Sequence, residues 1–429
     1  MDGAIIRSVA GRQVWDSRGR PTVEVDVALA SGATGRAIAP SGASTGKREA
    51  LDLRDGGSRL GGYGVYAALA AVNTMIAPRL VGMDAQDQMA IDRALIELDG
   101  TPQKMRLGGN ACVAVSAAVA WAAADYLHLP LWTHLRRLAA LPDTPHIPAP
   151  MIQIFGGGAH AGKRVDIQDF LVIPITAPSF AEGVEWVAEI YMAATSLMRK
   201  ERSLVGVSDE GGLWPDFARN EDGLAYLTRA IEDAGFAAQT DVGIALDVAA
   251  SNFFDEGGYA FALDGKRMRA DELIDLLAAW CERYPVVSLE DPLAEDDDAG
   301  FVEITRRLGH KVQIVGDDYL TTSRERIDRA AGIGASNAVL LKVNQCGTIT
   351  ELIEASAAVR SHGWNTIMSG RSGESEDVTL SHLAVGLMSD QVKVGSVTRS
   401  ERTAKWNELI RIEEGTASGA YWRFEVVRV

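Results

Sequence analysis

Gly243-Ile244-Ala245-Leu246-Asp247 is a short apolar run closed by a carboxylate, and the pattern returns along the rest of the chain. Val286-Val287-Ser288-Leu289-Glu290, Gln313-Ile314-Val315-Gly316-Asp317, Val339-Leu340-Leu341-Lys342, Thr366-Ile367-Met368-Ser369 and Gln391-Val392-Lys393 follow it. Each ends in a polar residue and leads into a helix-like segment. The steps are 27 residues from 290 to 317, 25 from 317 to 342 and 51 from 342 to 393, with the Ser369 run midway in the last. The 43 residues from 247 to 290 include an extra polar, Gly-containing stretch, 255–265. A strand, a helix and two short loops take about 25 to 30 residues, so the period predicts a βα repeat. Near-continuous apolar strands are covered on both faces. With no nucleotide-type Gly fingerprint, the repeat predicts a closed barrel rather than an open doubly wound sheet.

Upstream, Pro142, Pro145, Pro148 and Pro150 fix four φ angles within ten residues. That makes 141–150 a stiff extended linker between residues 1–140, a capping domain, and 151–429, the barrel catalytic domain. In the first part, Val23, Val25, Val27 and Leu29 alternate with polar residues, as in a half-buried antiparallel strand with one wet face. Ala-rich helical stretches follow near 63–80, 86–98 and 109–127. The predicted class is therefore α/β, a TIM-type barrel preceded by a smaller α+β N-terminal domain.

Composition narrows the partners. Hydrophobic residues make up 47% and charged residues 23%, values that exclude wholesale disorder. The balance of 42 Lys+Arg against 58 Asp+Glu leaves a net charge of −16, which repels phosphate backbones and anionic lipid. No nucleic-acid or membrane partner is expected, and an anionic ligand needs a local positive pocket or a bound cation. Cys112, Cys281 and Cys346 lie too far apart in sequence for paired metal spacing and are too few for a disulfide framework. The start, with Arg7 and Arg12 and no apolar core, does not read as a secretory signal. The longest charge-free apolar stretch, Ala111 to Ala124, is 14 residues and reads as a buried helix. These features predict a cytoplasmic protein.

In a βα barrel the strand C-termini meet at one mouth. Asp247, Glu290, Asp317, Lys342 and Lys393 occupy those termini here. Each acid taken alone reads as a cap for the next helix. Three in register read better as the oxygen ligands of Mg²⁺, which relieves their mutual repulsion. The two lysines could simply pair with these acids. Alternatively, one beside a divalent cation is pushed toward a lower pKa and becomes a base near neutral pH. A base facing a metal is suited to removing a proton next to a carboxylate. Three Gly-containing segments, 40–46, 156–163 and 369–374, offer a lid and a phosphate-facing arginine at the mouth, Arg371.

With these residues in place, the chain resembles the enolases, the phosphopyruvate hydratases of glycolysis, from about residue 5 to residue 414. The resemblance rests on DSRG (16–19), PSGASTG (40–46), DEGG (209–212), ALDVAAS (245–251), EDPLAEDD (290–297), VGDD (315–318), LLKVNQ (340–345), RSGESED (371–377) and RSERTAKWNELIRIEE (399–414). It implies that Asp247, Glu290 and Asp317 hold a Mg²⁺ on the substrate carboxylate and that Ser44 joins a second Mg²⁺. Lys342 would take the C2 proton of 2-phosphoglycerate, and Lys393 would stabilise the enolate. Glu210, with Asp169 on the same side, would help the C3 hydroxyl leave as water. Arg371 and Ser372 would hold the phosphate, and Gln168 and His160 would be further substrate contacts. The implied barrel is a modified one whose second strand is antiparallel. The implied assembly is a homodimer or higher homo-oligomer, with Glu413 and Glu414 facing Arg18 of a second copy.

Departures from the family pattern cluster. The family has Glu where this chain has Asp169, His where it has Gly370, Asn where it has Gly156 and Gly where it has Ser208; Arg20 replaces an Asn. Asp169 gives up about 1.3 Å of reach. Loss of the histidine removes from that side the only group titrating near neutrality. The implied activity is dehydration of 2-phosphoglycerate to phosphoenolpyruvate. The alternatives are a relative acting on a modified or phosphonate substrate, of the carboxyphosphonoenolpyruvate type, and a silent paralogue used for binding. Retention of all five costly buried charges argues against silence.

Overall fold

The computed structural model describes residues 2–43, 45–142, 144–416, 420 and 421. Strands β1 (Ile6–Trp15), β2 (Pro21–Leu29) and β3 (Thr34–Ile38) form an antiparallel sheet in the order β1-β2-β3. Val23, Val25, Val27 and Leu29 face the domain core. The opposite face of β2 is covered by Arg12 and Arg36, which pair with Glu24 and Asp26. Helical segments follow over 66–80, then α1 (Gln88–Asp99) and α2 (Gly109–Tyr126). Helix α2 is apolar nearly all round and accordingly buried. It lies so close to the sheet that a Cβ on Gly35 would stand 2.1 Å from the Ala118 carbonyl oxygen. No single helix among the described residues is long and apolar enough to cross a membrane.

The second part is a closed ring of eight strands: β4 (Ala149–Gly156), β5 (Asp169–Pro174), β6 (Val242–Asp247), β7 (Val286–Glu290), β8 (Gln313–Gly316), β9 (Ala338–Leu341), β10 (Asn365–Ser369) and β11 (Gln391–Lys393). Strand β5 runs antiparallel to both neighbours, the other contacts are parallel, and β11 pairs back onto β4 with Lys393 opposite Met151. Met151, Leu171, Ile173, Ala245, Val287, Val315, Leu340 and Ile367 fill the lumen. A larger cluster packs the helices onto the outside. The extra stretch after β6 is a small three-stranded meander, Phe254–Asp255, Gly258–Phe261 and Lys266–Met268. The α-helices that follow Asp247, Glu290 and Asp317 start on Arg269, Asp297 and Ser323, so these acids at the strand ends are not their caps.

Arg18 has partners within its own chain. Its side chain is 6% exposed and bonds Asp16, Ser41 and Ser372 of its own chain. Glu413 is likewise engaged, accepting from Phe180 N at 2.7 Å and Ala181 N at 3.0 Å, where a carboxylate offsets a helix N-terminus.

Candidate active site

The strand ends converge as the period predicts. Lys393 Nζ donates to Glu290 Oε2 at 2.7 Å and to Asp247 Oδ2 at 2.8 Å, and stands 3.7 Å from Asp169 Oδ2. Gln168 Nε2 also donates to Asp247 Oδ2, at 3.0 Å. Lys342 Nζ donates to Asp317 Oδ2 at 2.5 Å, while Gln345 Nε2 holds Asp317 Oδ1 at 2.8 Å. The backbone N–H of Lys342 is fixed by Thr322 Oγ1, whose hydroxyl is donated to Gln345.

Charge follows this geometry. Burial works against both ammonium groups, but Asp317 outweighs it for Lys342, and Asp247 with Glu290 outweighs it for Lys393, so both are held above the ordinary lysine range. The downward push expected for Lys342 therefore requires that Asp317 be neutralised. Burial, then Asp247, drives Glu290 well above the carboxylate range against the pull of Lys393. Asp317 is also buried, yet the Lys342 ammonium keeps it low. Glu290 Oε1 is buried with no hydrogen-bond partner among the described residues. An open carboxylate oxygen that feels the charges of Asp247 and Asp317 is one a hard divalent cation takes.

On the opposite side His160, Asp169 and Glu210 bring ligand-type atoms within 4.8 Å of one another. His160 Nε2 is 3.7 Å from Glu210 Oε1. An imidazole thus stands beside Asp169 and Glu210 although residue 370 is glycine. Burial, with Glu210 and Asp247 adding to it, raises Asp169 to about 6 against His160 and Lys393. Burial also acts on Glu210, but His160, Arg402 and Lys393 overcome it and hold this carboxylate below its usual range. Glu210 sits in a turn that needs Gly211 at φ +91°, where a Cβ would meet Thr398 Oγ1 at 2.6 Å.

Arg371, after β10, is buried and pairs with Glu49 of the N-terminal domain at 2.7 Å and with Asn344 Oδ1 at 3.2 Å. Ser372 Oγ accepts from Arg18 at 3.2 Å. The 40–46 segment reaches the barrel through a two-way backbone pair between Ser41 and Gly373, each bond 2.9 Å, and Ala43 borders the pocket. Ser44 lies outside the described residues. A third acidic grouping, Asp291 with Asp317 and Asp318, is structural: Asp291 accepts the N–H groups of Asp317 and Asp318 at 2.9 and 2.8 Å.

Sequence reasoning missed Glu49, Gln153, Thr322 and Gln345. Gln153 left a signal, a lone amide in the apolar run Met151-Ile152-Gln153-Ile154-Phe155. Glu49 left none, because its partner is 322 residues away.

Comparison with known proteins agrees with this geometry. Residues 6–135 match the family described as "Enolase, N-terminal domain", and residues 144–428 match "Enolase, C-terminal TIM barrel domain". The protein named Enolase 1 of Desulfitobacterium hafniense (strain Y51) is 49% identical over 423 residues, which covers 98% of this chain and 96% of that protein. With both domains matched and the charged strand ends assembled at one mouth, the chain belongs to the enolase family and is an enolase-type hydro-lyase.

Proposed function

We propose that the hydro-lyase reaction of this chain, dehydration of 2-phosphoglycerate to phosphoenolpyruvate, runs with Lys342 as the base. Two Mg²⁺ ions, one held by Asp247, Glu290 and Asp317 and a second joined by Ser44, would supply positive charge against the substrate carboxylate and phosphate and relieve Lys342 of its counter-charge at Asp317. Neutral Lys342 Nζ then takes the C2 proton, and the C–H electron pair moves toward the carboxylate. Lys393, an ammonium packed among acids, stabilises the charge that accumulates there. The C3–O bond breaks as the new double bond forms. One proton of the Asp169 and Glu210 pair goes to the departing oxygen, which leaves as water, while His160 orients that hydroxyl. Arg371 and Ser372 face the phosphate, and Gln168 fixes Asp247. The reading carries over to domain roles, with 1–140 as cap, 141–150 as linker and 151–429 as catalytic barrel. Membership of the family supports a cytoplasmic homodimer or larger homo-oligomer.

The single observation carrying the reading is the pairing of two buried lysines with separate members of one acidic trio, Lys342 on Asp317 and Lys393 on Asp247 and Glu290. The test is phosphoenolpyruvate formation from 2-phosphoglycerate with Mg²⁺, with and without chelator, alongside deuterium exchange at C2. Chelator-sensitive turnover is expected, with Lys342→Ala lowering exchange by at least about 100-fold. Exchange without net dehydration would reassign the substrate, and absence of both would end the proposal.

A further inference from the structure

Gln153 is fully buried on β4, and both ends of its amide are engaged. Its Nε2 donates to Asp169 Oδ1. Its Oε1 accepts from Gly212 N at 2.9 Å and from Ser208 Oγ at 3.3 Å. Ser208 and Gly212 bracket Glu210, and Ser208 N closes their turn on the Gly212 carbonyl at 2.8 Å. One amide therefore ties the Asp169 carboxylate to the turn that carries Glu210.

The surrounding space is equally determined. A Cβ on Gly156 would lie 2.3 Å from Ser208 Oγ and 2.6 Å from Ser208 Cβ. A side chain at 156 and a hydroxymethyl at 208 therefore exclude one another. An extra methylene at 169 would drive the carboxylate into the Gln153 amide, which already touches it. Three of the departures noted in the sequence, at 156, 208 and 169, meet around this single side chain.

We propose that Gln153 is the positioning residue of the leaving-hydroxyl side, and that Gly156, Ser208 and Asp169 form one mutually compensating unit around it. The inference rests on the reading of Asp169 and Glu210 as that side. Gln153 touches no substrate; it sets the direction of Asp169 and the height of the Glu210 turn. Misplacement of a reacting group by about 1 Å costs about 100-fold in rate, which sets the expected effect.

The experiment uses the full chain with 2-phosphoglycerate and Mg²⁺, following C2 exchange and dehydration separately. Gln153→Ala is expected to lower the dehydration kcat by about 100-fold with KM and C2 exchange little changed. Gly156→Asn is expected to lower the melting temperature and activity, and the pair Gly156→Asn/Ser208→Gly to recover both. Asp169→Glu is expected to be poor alone and improved in Asp169→Glu/Gln153→Asn. An unchanged kcat in Gln153→Ala, an equal fall in exchange and dehydration, or double variants no better than their parents would overturn the proposal. Wild-type chain inactive on 2-phosphoglycerate would instead remove the reading of the reaction, and thermal recovery in Gly156→Asn/Ser208→Gly would then decide the packing unit by itself.

Discussion

Glu49 of the N-terminal domain and Arg371 of the barrel meet 2.7 Å apart, both side chains buried, across 322 residues of sequence. The guanidinium proposed above to bind the phosphate is thus held by a carboxylate from the other domain. Removing one partner of such a pair strands a buried charge at about 3 kcal/mol or more. Glu49→Gln should lose stability in urea by that order. Added 2-phosphoglycerate should raise its melting temperature by more than it raises that of wild type, because the phosphate replaces the lost anion. Equal shifts in both proteins would show that Arg371 does not bind the phosphate.

The orphan oxygen of Glu290 points to a cation. Glu290→Gln keeps the shape but removes the charge, so Mg²⁺ affinity by titration calorimetry should fall by more than about tenfold. Unchanged affinity would strike Glu290 from the ligand set.

Gly370 borders the pocket, and an added Cβ there would lie 3.1 Å from Glu374 Oε1 and 3.5 Å from Leu380 Cδ1. A small movement of Glu374 makes room. Since His160 already supplies an imidazole beside Glu210, Gly370→His should raise the dehydration kcat, but by less than the about 100-fold that a missing general acid restores. His160→Ala should cost more than Gly370→His gains. The opposite order would make residue 370 the vacant acid position.

His134 is buried with Nε2 unpartnered, and burial, then the Arg137 charge, lowers its pKa from 6.5 to about 4. His146 is lowered to about 4 for a like reason. A base whose folded pKa lies below its unfolded value favours folding fully above pH 6.5, and that contribution is lost as pH falls toward 4. The urea midpoint should therefore drop between pH 7 and pH 5, and His134→Gln should drop less. Parallel curves would exclude His134 as a source of acid sensitivity.

The barrel and its acids were legible because a period near 25 residues and a charge at each strand end are local features. The reversed direction of β5 was not local: an apolar run reads alike either way, and only the resemblance pointed to it. The surroundings of Arg18, which bonds Asp16, Ser41 and Ser372, were not legible because an arginine near the start carries no mark of the residues that will surround it. Glu49 and Gln345 were invisible for a related reason, since their work depends on how two domains dock.

The ring closes where Lys393 on β11 lies opposite Met151 on β4. Those residues leave the ribosome far apart in time, so the sheet stays an open trough until nearly the whole polypeptide has emerged. The seam that seals the trough also delivers the ammonium that neutralises Asp247 and Glu290. Until then these acids repel one another across an unfinished wall. Completion of the cylinder and acquisition of its chemistry are one event, and a nascent chain stopped short of β11 has neither.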